Sequence, residues 1–98
     1  MNSITKEKCE SLAEARNKID AIDEAIIEWI GLRQFYVDQA VRFKCSTQDI
    51  QAPERVEVVI NKVRALAEKN QVDPALVEQI YQHMIQHFIQ RELKEFRP

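Results

Sequence analysis

The sequence predicts an all-α fold with three helices per chain, one long and two shorter. Two observations carry this. The 98-residue chain has one glycine and three prolines, almost none of the turn chemistry that hairpins need. Its apolar residues also recur at helical rather than alternating spacing. No internal repeat, low-complexity tract or linker interrupts the pattern, so residues 1–98 read as a single domain.

The first helix opens at Ser11-Leu12-Ala13-Glu14, which has capping-box spacing. From there to Lys44 no proline breaks the series Ile19, Ile22, Ile26, Ile30, Val37 and Val41. At 1.5 Å per residue such a helix extends roughly 50 Å, more than a small monomeric bundle can cover. A chain this short also buries only about 60–65% of its unfolded surface. Both facts call for a second copy of the chain, a homodimer. Gly31 inside the helix costs about 1 kcal/mol relative to alanine and marks either a close approach or a weak position.

Cys45 to Ala52 reads as polar and irregular, after which Pro53 suits a first helical position and starts a second helix running to about Asn70. Val72-Asp73-Pro74 then reads as staple residue, N-cap and first helical residue. Leu76, Val77, Ile80, Met84, Ile85, Phe88 and Ile89 follow at helical spacing, and the third helix runs to about Phe96.

Several function classes fall away on composition. No stretch approaches the roughly 18 apolar residues that span a bilayer, so the chain does not read as a membrane protein. Met1 to Lys8 lacks the apolar run of a secretory signal, and the cytoplasm is the expected location. A net charge of −2 implies no nucleic-acid partner. Cys9 and Cys45 read as free thiols, too few and too isolated for a disulfide framework. His83 and His87 stand four residues apart, but no acidic or cysteine ligand follows at a recognised metal spacing. Trp29, Phe35, Tyr36, Phe43, Tyr81 and Phe88 read as core or dimer packing rather than base-stacking platforms. Lys62, Arg64 and Lys69 read as a solvated face.

The basic residues of the first helix carry the functional argument. Arg33 and Lys44 are eleven residues apart, and eleven steps of 100° return to within about 20°, so on one continuous helix both project from one face. The axial separation of roughly 16 Å suits two long cationic side chains around a small dicarboxylate. Arg16, seventeen residues before Arg33, lies about 25 Å away and about 100° around, so it cannot serve the same pocket from the same chain, and a partner's pocket is the alternative open to it. Spacing alone fits three solvated charges on an amphipathic helix more readily.

A resemblance changes that weighting. Ala15-Arg16-Asn17-Lys18-Ile19-Asp20-Ala21-Ile22-Asp23 resembles the R-x-x-I-D-x-x-D opening of the helical chorismate mutases. The likeness continues through Gly31-Leu32-Arg33, Arg42-Phe43-Lys44 and Ile50-Gln51-Ala52-Pro53-Glu54-Arg55 to Glu92, over about residues 12–96. The R-F-K and A-P-E-R stretches particularly resemble the isochorismate-pyruvate lyase branch. The resemblance implies an intertwined homodimer using neither metal nor cofactor. Its activity is rearrangement of chorismate to prephenate, with cleavage of isochorismate to salicylate and pyruvate as the near-equal alternative. It assigns Arg16 to the partner's pocket, Arg33 to a substrate carboxylate, Lys44 to carboxylate and ether oxygen, and Arg55 to added positive charge from the second helix. Both reactions are concerted, so the protein restricts the substrate's conformation and stabilises charge on the breaking ether bond.

Glu92 departs from the glutamine of well-known bacterial members. An ionised carboxylate would repel the ether oxygen, so Glu92 has to carry a proton to act there, and activity should fall as pH rises. The alternative is an exposed helix-end glutamate paired with a nearby base. Asp49 either approaches the ring hydroxyl or belongs to a solvated loop, and the loop is favoured. Two readings of other classes stay open, a helical interaction module and a family member that binds a metabolite without turning it over.

Overall fold

The computed structural model describes residues 5–97. Of the N-terminal stretch weighed as a possible signal, Met1–Ile4 lie outside the described residues. Four helices follow in order: α1 Leu12–Val41, α2 Thr47–Gln51, α3 Pro53–Lys69 and α4 Pro74–Glu95. Among the described residues there is no strand. The three long helices match the expected ones, and the short α2 is an addition. The chain divides after Arg42 into two units.

The first unit is built on α1. Ser11 adopts extended backbone and its Oγ accepts from the Glu14 amide at 3.0 Å. The Glu14 carboxylate reaches one residue past the cap and accepts from the Glu10 amide at 3.0 Å. None of the helix's 30 residues is buried. Ile19, Ile22, Ile26, Ile27, Trp29, Leu32, Phe35 and Tyr36 are all exposed. Gly31 does not mark a close approach within the protomer, since a Cβ added there meets nothing within 4 Å.

The second unit contains the core. Cys45 to Ala52 is not irregular, because α2 forms a turn of helix within it. Ser46 Oγ accepts from the Asp49 amide at 3.1 Å and Asp49 Oδ2 accepts from the Cys45 amide at 2.9 Å, repeating the arrangement at the start of α1. This cap requires Ser46 in extended backbone (φ −147°, ψ 164°). The cap between Val41 and Thr47 thereby stops α1 three residues short of the expected Lys44.

Ala52 closes α2 and opens α3 in the left-handed region, at φ 38° and ψ 58°. The proline that follows disfavours right-handed helix at its predecessor, which is why two helices abut here without merging. At the other end of α3, Gln71 is left-handed at φ 59°. Its amide donates to Glu68 O at 3.1 Å, and the Val72 amide donates to Ala67 O at 2.9 Å. These bonds form a Schellman motif, with glutamine where glycine is usual. Asp73 then caps α4, accepting from the Ala75 amide at 2.9 Å, with Pro74 in the first turn.

Ile50 of α2, 1% exposed, packs with Ile85 and Ile89 of α4, flanked by Val56, Val59, Ile60, Tyr81, Leu93 and Phe96. Removing an isoleucine side chain from water contributes about 1.5–3 kcal/mol, so one turn of helix anchors this end of the bundle. Farther along α3, Val63 and Ala67 are buried as well. Arg64 pairs with Glu78 at 2.6 Å, tying α3 to α4; of the three basic residues expected on a solvated face, this one is engaged. Leu76 and Ile80, part of the apolar series that defined the last helix, are exposed.

Candidate functional site

Glu92 lies three and four residues beyond Ile89 and Phe88, in the register of the buried stripe of α4. A carboxyl thus occupies a position that helical periodicity reserves for an apolar side chain. It is 7% exposed and is the one buried charged side chain among the described residues. The reading of Glu92 as a solvent-facing helix-end residue does not hold.

Its partner is Lys44. Lys44 Nζ donates to Glu92 Oε2 at 3.2 Å, with the lysine side chain 23% exposed. Lys44 does not stand on the helix that carries Arg33, which corrects the shared-face argument. The eleven-residue register fails because α1 ends at Val41, where the Arg42 amide bonds Gln39 O at 3.3 Å in a tightened last turn. Lys44 is instead held in the short connector to α2, next to the amide that Asp49 fastens. Neighbouring Phe43 is 78% exposed.

The remaining assigned residues are distributed over the helices. Arg16 is exposed and Arg33 half-buried on α1, which is continuous through both, so the separation of about 25 Å along the axis stands. Arg55 is exposed in the first turn of α3, just after the Ala52 corner. Asp49 is a capping residue, its Oδ2 taken up by the Cys45 amide. His83 and His87 are exposed on α4, and among the described residues no three His, Cys, Asp or Glu side chains come together to hold a metal ion. Cys9 and Cys45 are free thiols. Among the described residues no helix is long and apolar enough to cross a membrane.

Chemically, the centre pairs an ammonium that can meet an anionic oxygen with a carboxyl that can donate once it carries a proton. Both stand at the edge of an apolar core, where such interactions are stronger than in water. Sequence reasoning missed two things that build this centre. One is the Ser46–Asp49 cap, legible in the same spacing used for Ser11–Glu14; the other is the burial of Ile50, hidden in a segment whose overall composition is polar.

Comparison with known proteins adds what the geometry cannot. The profile of the family described as chorismate mutase type II matches residues 15–93, which include all five assigned residues. The chain belongs to the chorismate mutase type II family. It is 39% identical over 93 residues to the isochorismate pyruvate lyase of Pseudomonas aeruginosa, covering 95% of this chain and 92% of that protein. It is 33% identical over 79 residues to the chorismate mutase of Methanocaldococcus jannaschii, covering 80% of each. Among chorismate mutase type II proteins, then, the chain has relatives named for each of the two reactions anticipated from its motifs.

Proposed function

We propose that this chain is a cofactor-independent pericyclic enzyme that cleaves isochorismate to salicylate and pyruvate. In that step the ether C–O bond breaks while a ring hydrogen moves to the departing enolpyruvyl carbon, so atoms and charge balance without an external reagent. The observation that carries the reading is the buried Glu92 beside Lys44 in a chain of this family: a proton donor and a cation suited to an ether oxygen and a carboxylate. The likeness to the lyase, 39% over 95% of the chain, supports isochorismate as the principal substrate. The second reading, rearrangement of chorismate to prephenate, is favoured by the 33% likeness to a chorismate mutase over 80% of the chain. Chorismate and isochorismate carry the same two carboxylates, and one set of cations can orient either.

In this reading Arg33 binds a substrate carboxylate, Lys44 reaches carboxylate and ether oxygen, and Arg55 adds positive charge. Bidentate guanidinium suits a carboxylate, and two anionic groups call for several cations in a chain whose net charge is −2. Glu92, protonated, donates to the ether oxygen. The enzyme works as a homodimer in which residues 1–98 form one domain intertwined with a second copy, and Arg16 acts in the partner's site. The exposed apolar face of α1 supports the dimer, because an isolated helix with that much apolar surface in water is marginal. The cytoplasm is the proposed location.

Purified protein assayed side by side on isochorismate and chorismate, following salicylate, pyruvate and prephenate, tests the reading. Salicylate and pyruvate in equal amounts, with weak turnover of chorismate, are expected. Prephenate alone makes the protein a mutase. Binding without product makes it a sensor, and neither binding nor product leaves a helical interaction module.

A further inference from the structure

In the substrate-free protein the ammonium of Lys44 is already occupied by a carboxylate, and that carboxylate is the protein's own. Lys44 offers three N–H donors and no acceptor, so anything that binds there must be an acceptor, and an anion drawn to the ammonium competes with Glu92 for its charge. We infer that Glu92 is a built-in competitor of the substrate for Lys44, and that substrate binding is coupled to uptake of one proton by Glu92. The inference rests on the proposed function, since it takes the ligand to be a dicarboxylate ether.

A dianion that draws Lys44 to itself leaves Glu92, 7% exposed, as a buried carboxylate without its cation and beside new negative charge. Both conditions penalise the charged form, because a buried charge without its counter-ion is unfavourable and a like charge adds to that. Among the described residues Lys44 is the cation in an ion pair with Glu92. On the elements packed against α4, Asp49 is committed to the Cys45 amide and Arg64 to Glu78, while Glu54, Arg55, Glu57 and Lys62 are exposed. On α4 itself Arg91 lies over the Phe88 ring, Lys94 and Glu95 are exposed, and Tyr81 belongs to the apolar cluster. A proton from solvent settles the balance. Glu92 becomes neutral, Lys44 keeps its three protons and passes to the ligand, and the new O–H faces an ether oxygen that accepts.

The sign follows from linkage. A proton taken up on binding makes affinity fall as pH rises, by up to about tenfold per pH unit where Glu92 is ionised in the free protein. This is distinct from a requirement for protonated Glu92 in turnover, which governs the rate of the bound complex.

The test is calorimetric titration of the full chain with a ring-saturated, non-reactive analogue that keeps both carboxylates and the ether oxygen. Titration in two buffers of different ionisation enthalpy near pH 7.5 gives the proton count. About one proton taken up per site is expected. Glu92→Gln should take up none and, at about pH 8, should bind at least several-fold more tightly than wild type. Wild-type binding with no proton uptake overturns the inference and leaves the enzymatic reading standing. Failure of the wild type to bind at all overturns both. The wild-type count decides the matter even if the variant does not fold.

Discussion

Lys44 and Glu92 form an ion pair whose two members have different environments, one reaching solvent and one set into an apolar stripe. Replacing Lys44 with alanine removes the cation but leaves the core intact. The expected result is a fall in kcat/KM of about 10²–10³ with unchanged far-UV circular dichroism, the scale of losing one preorganised electrostatic contact. Arg33→Ala should behave alike, and normal turnover in either variant contradicts the assignment. Glu92→Gln keeps a donor whose protonation no longer matters. Wild-type kcat/KM should decline as pH rises from about 5 to 8, while the glutamine variant stays flat, checked by steady-state rates across that range. Glu92 was legible as a functional candidate through the family resemblance, where it stands in place of glutamine, while its burial at the register of Phe88 and Ile89 is what the structure adds. The direct contact with Lys44 was not legible, since it depends on where α1 stops.

Caps and corners decide what spacing alone leaves open in the elements. The long-helix ends at Ser11, Pro53 and Asp73-Pro74 are written in residues with local mechanisms, and each was readable. Lys44 was placed on α1 because no proline interrupts the series; what ends the helix is a competing cap two residues beyond Lys44, Ser46 with Asp49. Gln71 and Ala52 are left-handed without being glycine, so the sequence did not announce the left-handed backbone at either turn. Gln71→Gly should raise stability by about 0.5–1 kcal/mol, read as a higher midpoint in thermal or urea unfolding, because a non-glycine residue pays roughly that to adopt this backbone. Ile50→Ala should lower stability by about 2–5 kcal/mol, since the side chain is enclosed and the cavity has little room to collapse. A loss under about 1 kcal/mol would mean α2 does not anchor the second unit.

Two features of the whole molecule argue for a second copy. Helix α1 carries no buried residue although its sequence is strongly apolar, and Arg16 and Arg33 lie too far apart along it to serve one small ligand from one chain. The first was inferable from helix length, and exposure of Ile19, Ile22, Ile26 and Trp29 in the protomer supplies the physical reason. Ile26→Asp should shift the protein from dimer to monomer in light scattering and abolish activity, because a charge buried without a partner is expensive. How two copies would share the proposed site is not written in any one chain's periodicity.

Mixing two inactive variants tests that sharing directly. Arg16→Ala keeps Lys44 and Lys44→Ala keeps Arg16, so a mixed dimer has one site with both residues intact and one with neither. After subunit exchange at equal amounts, half the dimers are mixed and about a quarter of wild-type activity should return. If activity stays at the sum of the two separate variants while mixed dimers are present, both residues act in the same chain, and the account of a site completed across two copies is wrong.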